Sequence, residues 1–145
     1  MRWARWFAAV AAVAGYAAAA PEAMSPYRVD GDAIRERLIS APGDAARGKQ
    51  VVSGRDSNCL LCHSVPDVGM RMGNLGPPLA GVGARLTEAQ LRLRVVDSIR
   101  VNPETIMPSY YRVEGLVQVG EAWRGKPVLT AQQVEDTVAY LLTLR

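Results

Sequence analysis

Cys59-Leu60-Leu61-Cys62-His63 decides how the rest of this chain is read. These are the only two cysteines and the only histidine in 145 residues, and they fall together as C-x-x-C-H. That spacing is the attachment pattern of a c-type haem. Two thiols three positions apart add across the two vinyl groups on one porphyrin edge, and the next residue turns its imidazole to the iron. Other uses of the motif fit less well. A disulfide between Cys59 and Cys62 closes a very small loop and stabilises little. A thioredoxin-like redox pair needs a βαβ pattern around it, whereas the flanks here read as helix and Gly/Pro loop. A zinc site lacks ligands, because only three Cys or His exist in all.

Working toward the amino terminus, Arg2 and Arg5 precede an apolar run from Trp6 to Ala20, and small residues follow. Residues 1–20 are therefore expected to be a signal peptide cleaved near 19–23. The run is shorter than the ~20 apolar residues of a spanning helix; an uncleaved anchor is the alternative. Export to the periplasm without stable membrane insertion follows. Loss of Arg2 and Arg5 takes the net charge from +3 to +1, which gives no footprint for nucleic acid. Trp3, Trp6, Phe7 and Tyr16 leave too, so the remainder has no Phe and a single Trp, Trp123. A domain of this size buries roughly two-thirds of its surface, and a large flat cofactor would fill the space that aromatic side chains do not.

No stretch alternates as a strand, and the expectation is an all-α fold of short helices and long loops. Pro26 to Asp32 reads as an extended lead. Asp32 is placed to cap a short helix carrying Ile34 and Leu38, ended by Pro42-Gly43. Asp44 caps a second helix over Ala45–Val52, and Ser53 to Asn58 breaks the pattern. Gly69 to Gly83 holds five Gly and two Pro and reads as loop. Thr87 with Gln90 forms a capping box for a helix reaching about Val101, with Leu91, Val95 and Ile99 on one face. Arg92 and Arg94 read as its solvated face. After an irregular stretch from Asn102 to Pro127, Thr130 with Gln133 caps a last helix striped by Val134, Val138, Leu141 and Leu142. Loops this long in a small domain are usually functional or disordered, and wrapping a haem edge accounts for them without disorder.

D-A-A-R-G-K at Asp44–Lys49, C-x-x-C-H, G-P-x-L-x-G-V-x-x-R at Gly76–Arg85, Met107-Pro108 and V-A-Y-L-L at Val138–Leu142 resemble a class I cytochrome c. Longer segments resemble one branch of it, the SoxX family of sulfur-oxidising bacteria: Gly73–Arg85, Leu91–Asp97, Asn102–Tyr111 and Gly125–Asp136. Two features depart from the ordinary class I pattern: eleven positions separate Gly48 from Cys59, and an N-terminal extension, residues 26–44, precedes the cytochrome c domain, residues 45–145.

The resemblance implies a class I cytochrome c fold wrapped around one covalent haem c. It implies a mono-haem electron-transfer subunit that pairs with a SoxA-type haem subunit, as a heterodimer or larger. In that family the pair joins thiosulfate oxidatively to a cysteine of a carrier protein, SoxYZ, met transiently, and electrons pass to a downstream acceptor. With both cysteines committed to haem, this chain keeps no thiolate for sulfur chemistry and is not expected to be catalytic alone. Part of the extension, with Tyr27, Ile34, Leu38 and Ile39, and the haem-edge loops are expected to pack against the partner; the alternative is that the extension folds back on its own core. A free-standing diffusible cytochrome c is the alternative function; a haem-based ligand binder with an open distal site is a third.

His63 is the one imidazole, so a second axial ligand must be of another kind. Met107 is assigned to it, lying 44 residues on in a loop set by Pro103 and Pro108, as the partner of a His/Met-ligated iron. Met70, Met72, Lys49, Lys126 and an open site are the alternatives. By the resemblance, the Pro77 carbonyl, after Gly76, accepts the other imidazole N–H. Arg85, Tyr110 and Trp123 are candidates for the haem propionates or rim.

Overall fold

Helix α1, Ala45–Ser53, begins where Asp44 leaves extended backbone and accepts from the Arg47 N–H at 2.8 Å. The sequence asks for this cap, since Asp satisfies an N–H that the first turn leaves orphaned. The computed structural model describes residues 24–66, 68–69 and 72–145. The expected signal peptide and Met70 lie outside the described residues. Three more helices follow: α2 at Val82–Arg85, α3 at Glu88–Val96 and α4 at Ala131–Thr143. Both capping boxes form, Thr87 with Gln90 and Thr130 with Gln133. α3 stops at Asp97, and Ser98–Arg100 is a single 3₁₀ turn where a continuous helix to about Val101 was expected. Among the described residues the only β feature is an isolated bridge between Asp30 and Ala33, and no helix is long and apolar enough to cross a membrane.

The first and last helices cross in close contact. Gly48 lies so near the Asp136 carbonyl that an added Cβ would overlap it, and it would come within 2.8 Å of Tyr140 Cβ. Only a residue without a Cβ lets the two backbones approach this far. Asp136 locks the crossing. It accepts from Arg47 Nε at 2.7 Å, Arg47 Nη2 at 2.8 Å and the Asp44 N–H at 2.8 Å. Val52, Leu91, Val95, Leu129, Val134, Val138 and Leu141 fill the interior between α1, α3 and α4.

The extension forms no helix; it runs as turns and bends, and its backbone groups are satisfied over long range instead. Ile34 N–H donates to Ala89 carbonyl at 3.0 Å, Leu38 N–H to Glu135 Oε1 at 2.9 Å, and Ile34 carbonyl accepts from Arg92 Nη1 at 2.9 Å. Ile34 and Leu38 are buried, and Tyr27 and Ile39 pack against the same core. Burying a side chain of that size contributes about 1.5–3 kcal/mol. For Ile34 and Leu38 the expectation that they await a partner is thereby corrected, since the chain covers them itself, while Tyr27 and Ile39 are half-buried. Arg92 is a second correction, because it is 1% exposed and bonded to Glu135 rather than facing solvent.

Candidate haem site

A 3₁₀ turn at Cys59–Leu61 carries the motif, entered through Asn58 in the left-handed region at φ 50°. The turn closes with Cys62 N–H and His63 N–H both donating to the Cys59 carbonyl, at 3.2 and 3.0 Å. The 73–79 loop then runs back along the motif. Gly73 N–H donates to Leu60 carbonyl, Gly76 N–H to Cys62 carbonyl and Leu79 N–H to Ser64 carbonyl, at 2.8–2.9 Å. This pairing explains why Gly recurs here: at Gly73 a Cβ would strike the Leu61 carbonyl, and at Gly76 it would strike the His63 ring.

His63 is oriented by that loop. Its Nδ1 lies 2.7 Å from the Pro77 carbonyl oxygen. A carbonyl can only accept, so Nδ1 carries the proton and the Nε2 lone pair is left for a metal. Cys59 and Cys62 are not joined in a disulfide. Burial pushes the Cys59 thiol up from its ordinary value.

Cys59, Cys62 and His63 share the wall of a cavity of about 680 Å³ with Met107, Pro77 and Arg85. That is within the range of small-ligand and cofactor pockets. Its other walls are chiefly apolar, including Val52, Leu91, Val95 and Leu141, and come from α1, α3 and α4. The donor set facing this space suits a haem iron: one imidazole nitrogen, with a thioether on the same cavity. A further observation fits a large guest. Thr137 Oγ1 of α4 is buried on this wall with no hydrogen-bond partner among the described residues.

Met107 is held by its backbone. Its carbonyl accepts from Ser98 Oγ at 2.6 Å and its N–H donates to Thr105 Oγ1 at 3.1 Å. Met72 is placed otherwise: its sulfur accepts from the Val65 N–H at 3.0 Å, and it packs against the core rather than lining the cavity. Lys49 and Lys126 are not on the cavity wall either. Arg85 spends part of its guanidinium on the loop, donating to Ala80 carbonyl at 2.7 Å and Pro78 carbonyl at 3.3 Å. Tyr110 reaches the cavity, but Trp123 does not. It lines a separate recess of about 330 Å³ with Val113, Leu116 and Arg124.

Two contributors went unseen in the sequence. Ser98 fixes the Met107 carbonyl, and Ser57, two positions before Cys59, receives the Tyr110 hydroxyl at 2.7 Å. Neither residue type signals its role, and the second pairing spans 53 positions.

The family model described as "Cytochrome c" matches residues 45–145. Among solved structures, a chain of SoxXA from P. pantotrophus is 38% identical, with a TM-score of 0.74. The match covers 81% of this chain and 93% of that one. No curated protein matches the chain.

Proposed function

This chain belongs to the cytochrome c family and is a SoxX-type member of it, and on that premise we propose a role as the periplasmic electron-transfer subunit of a SoxAX complex. Cys59 and Cys62 would carry one haem c, and His63 and Met107 would hold its iron. The observation that carries this is the shared cavity wall: both thiols, the imidazole and the thioether meet one apolar space. Export rests on the leader expected at residues 1–20.

Haem bound there supplies a one-electron iron couple, which a Met ligand moves to higher potential than a second His would. The protein's own residues do the rest. Cys59 and Cys62 fix the ring edge, the Pro77 carbonyl orients His63 and raises its basicity, and the apolar walls keep water from the iron. Leu61, Leu75 and Ile106 stand 66%, 73% and 75% exposed at the cavity mouth. An exposed apolar collar of that kind marks an interaction surface, and it supports docking of the SoxA-type subunit there rather than on the extension.

The partner reaction is the joining of thiosulfate to a carrier-protein cysteine. Forming that S–S bond from a thiolate and thiosulfate releases two electrons. A one-haem chain takes them singly, so a second redox centre on the partner, or two turnovers, completes the balance. With both thiols in thioether bonds, the chain has no nucleophile of its own for this step.

Co-expression with a SoxA-type subunit tests the reading. The two should co-purify, and thiosulfate with carrier protein should reduce the haem of this chain only in the complex. A chain that stays monomeric beside that subunit, yet exchanges electrons with small donors, would instead be a diffusible cytochrome c.

A further inference from the structure

Tyr110 stands three residues beyond Met107 and links that loop to the segment just before Cys59. Its backbone is clamped at both ends: the N–H donates to Val95 carbonyl and the carbonyl accepts from Leu129 N–H, each at 3.0 Å. The phenol is clamped as well. Its hydroxyl donates to the Ser57 carbonyl at 2.7 Å. Ser57 is itself anchored to α1, through Oγ to the Val51 carbonyl at 2.6 Å. Both residues are buried, Tyr110 at 6% and Ser57 at 2% exposure. Ser57, Cys59, Met107 and Tyr110 all border the same cavity. The ring is thus a rigid strut between the loop that presents the thioether and the segment that attaches the cofactor.

We propose that Tyr110 is a positioning residue that acts through Met107, holding its thioether loop at a fixed distance from the Cys59–His63 segment so that sulfur stays on the iron. The proposal rests on the His63/Met107 reading. Ser98 and Thr105 fix the Met107 backbone directly, and the Tyr110–Ser57 bond ties the loop's far end to the segment that leads into Cys59. Without it, the loop can swing outward and the sulfur competes less well for the iron.

The test is Tyr110→Phe in the haem-loaded chain, which keeps the ring and removes one hydroxyl. Exogenous imidazole is titrated against the oxidised protein, and the thioether-to-iron charge-transfer band is followed. Imidazole should displace the thioether at about tenfold lower concentration in the variant, equivalent to the ~1.4 kcal/mol of one lost hydrogen bond. Val134→Ala, a core truncation in α4 away from the cavity, is the control for lost stability and should leave the titration at the wild-type value. A Tyr110→Phe titration that matches wild type overturns the proposal while leaving the Met107 ligand standing. An equal shift in Val134→Ala overturns it too, because general loosening would then suffice. Absence of the band in the wild-type protein would overturn the Met107 reading and this proposal with it.

Discussion

Arg92 and Glu135 meet inside the protein as a two-pronged pair, Nε to Oε1 and Nη2 to Oε2, each at 2.9 Å. Their side chains are 1% and 2% exposed. The pair links α3 to α4, and each partner also holds the extension. Arg92 Nη1 donates to the Ile34 carbonyl, and Glu135 Oε1 accepts from the Leu38 N–H. Glu88 adds a second carboxylate to Arg92, and despite burial the Arg92 and Arg37 guanidiniums hold it below its ordinary value.

Truncating one partner leaves the other charge buried and alone, which costs about 3–5 kcal/mol. Arg92→Met should lower stability by that order and expose the chain near Ile34–Leu38 to protease, with the haem spectrum of the folded fraction unchanged. Thermal unfolding and limited proteolysis check this. A loss below about 1 kcal/mol, the range of surface ion pairs, would mean the pair is not the clamp described.

Gly48→Ala should destabilise through the α1–α4 crossing. The added methyl meets a backbone carbonyl of Asp136, which cannot rotate away, so the helices must separate. Overpacking of this kind costs about 1–3 kcal/mol. Denaturant unfolding should show a lower midpoint with unchanged slope.

The parts of the fold legible in the sequence are the local ones. Asp44 with Arg47, Thr87 with Gln90 and Thr130 with Gln133 all act within one helical turn, so residue type and spacing suffice. The haem motif is legible for the same reason. Arg92 was not, because its partner Glu135 lies 43 positions away and nothing local separates a buried arginine from a solvated one. The extension misled similarly. Asp32 followed by Ile34 and Leu38 has the period of a short helix, but the segment's N–H and carbonyl groups find partners on Ala89, Arg92 and Glu135 instead. Tertiary bonds replaced the helix. In the cavity, Cys59, Cys62 and His63 could be read directly, while the supports from Ser57 and Ser98 depend on how loops return.

Asp136 gives the helix crossing a pH dependence. Burial opposes its charge, yet the Arg47 guanidinium, the Asp44 N–H and Gln132 together hold its carboxyl below the usual 3.8. A folded value below the unfolded one makes this contribution complete above about 3.8 and removes it as pH falls through the lower folded value. Asp136→Asn should therefore be less stable than wild type at pH 7, by about 1–2 kcal/mol, and the gap should narrow as pH falls below 3.8. Arg47 is 54% exposed, so water screens its share. Unfolding curves across that range decide it; a gap constant with pH would assign the loss to packing.

Gly76→Ala should disturb the proximal side. A methyl there would lie within 2.7 Å of His63 Nδ1 and 2.9 Å of Nε2, so the ring must turn and the Pro77 bond must lengthen. Loss of such an orienting bond typically weakens a metal ligand about 10–100-fold. Haem should remain covalently attached in the intact mass, while the absorption spectrum reports a weakened iron–imidazole bond. An unchanged spectrum would show that the 73–79 loop adapts without cost to His63.

Met107→Ala tests the distal assignment, and the structure sharpens what to expect. The Met107 carbonyl and N–H are fixed by Ser98 and Thr105, and neither bond uses the side chain. Removing the thioether therefore leaves the loop's own bonds in place and empties only the space toward the iron. The oxidised variant should lose the thioether-to-iron charge-transfer band and bind added imidazole or carbon monoxide readily, while Cys59 and Cys62 keep the haem in the denatured chain. Its reduction potential should fall, since the methionine ligand favours the reduced iron. Met72→Ala should leave the band intact, because the Met72 sulfur is occupied by the Val65 N–H on the core side. A Met107 variant that retains the band, or a Met72 variant that loses it, would move the ligand to Met70 or Met72 and reverse the assignment.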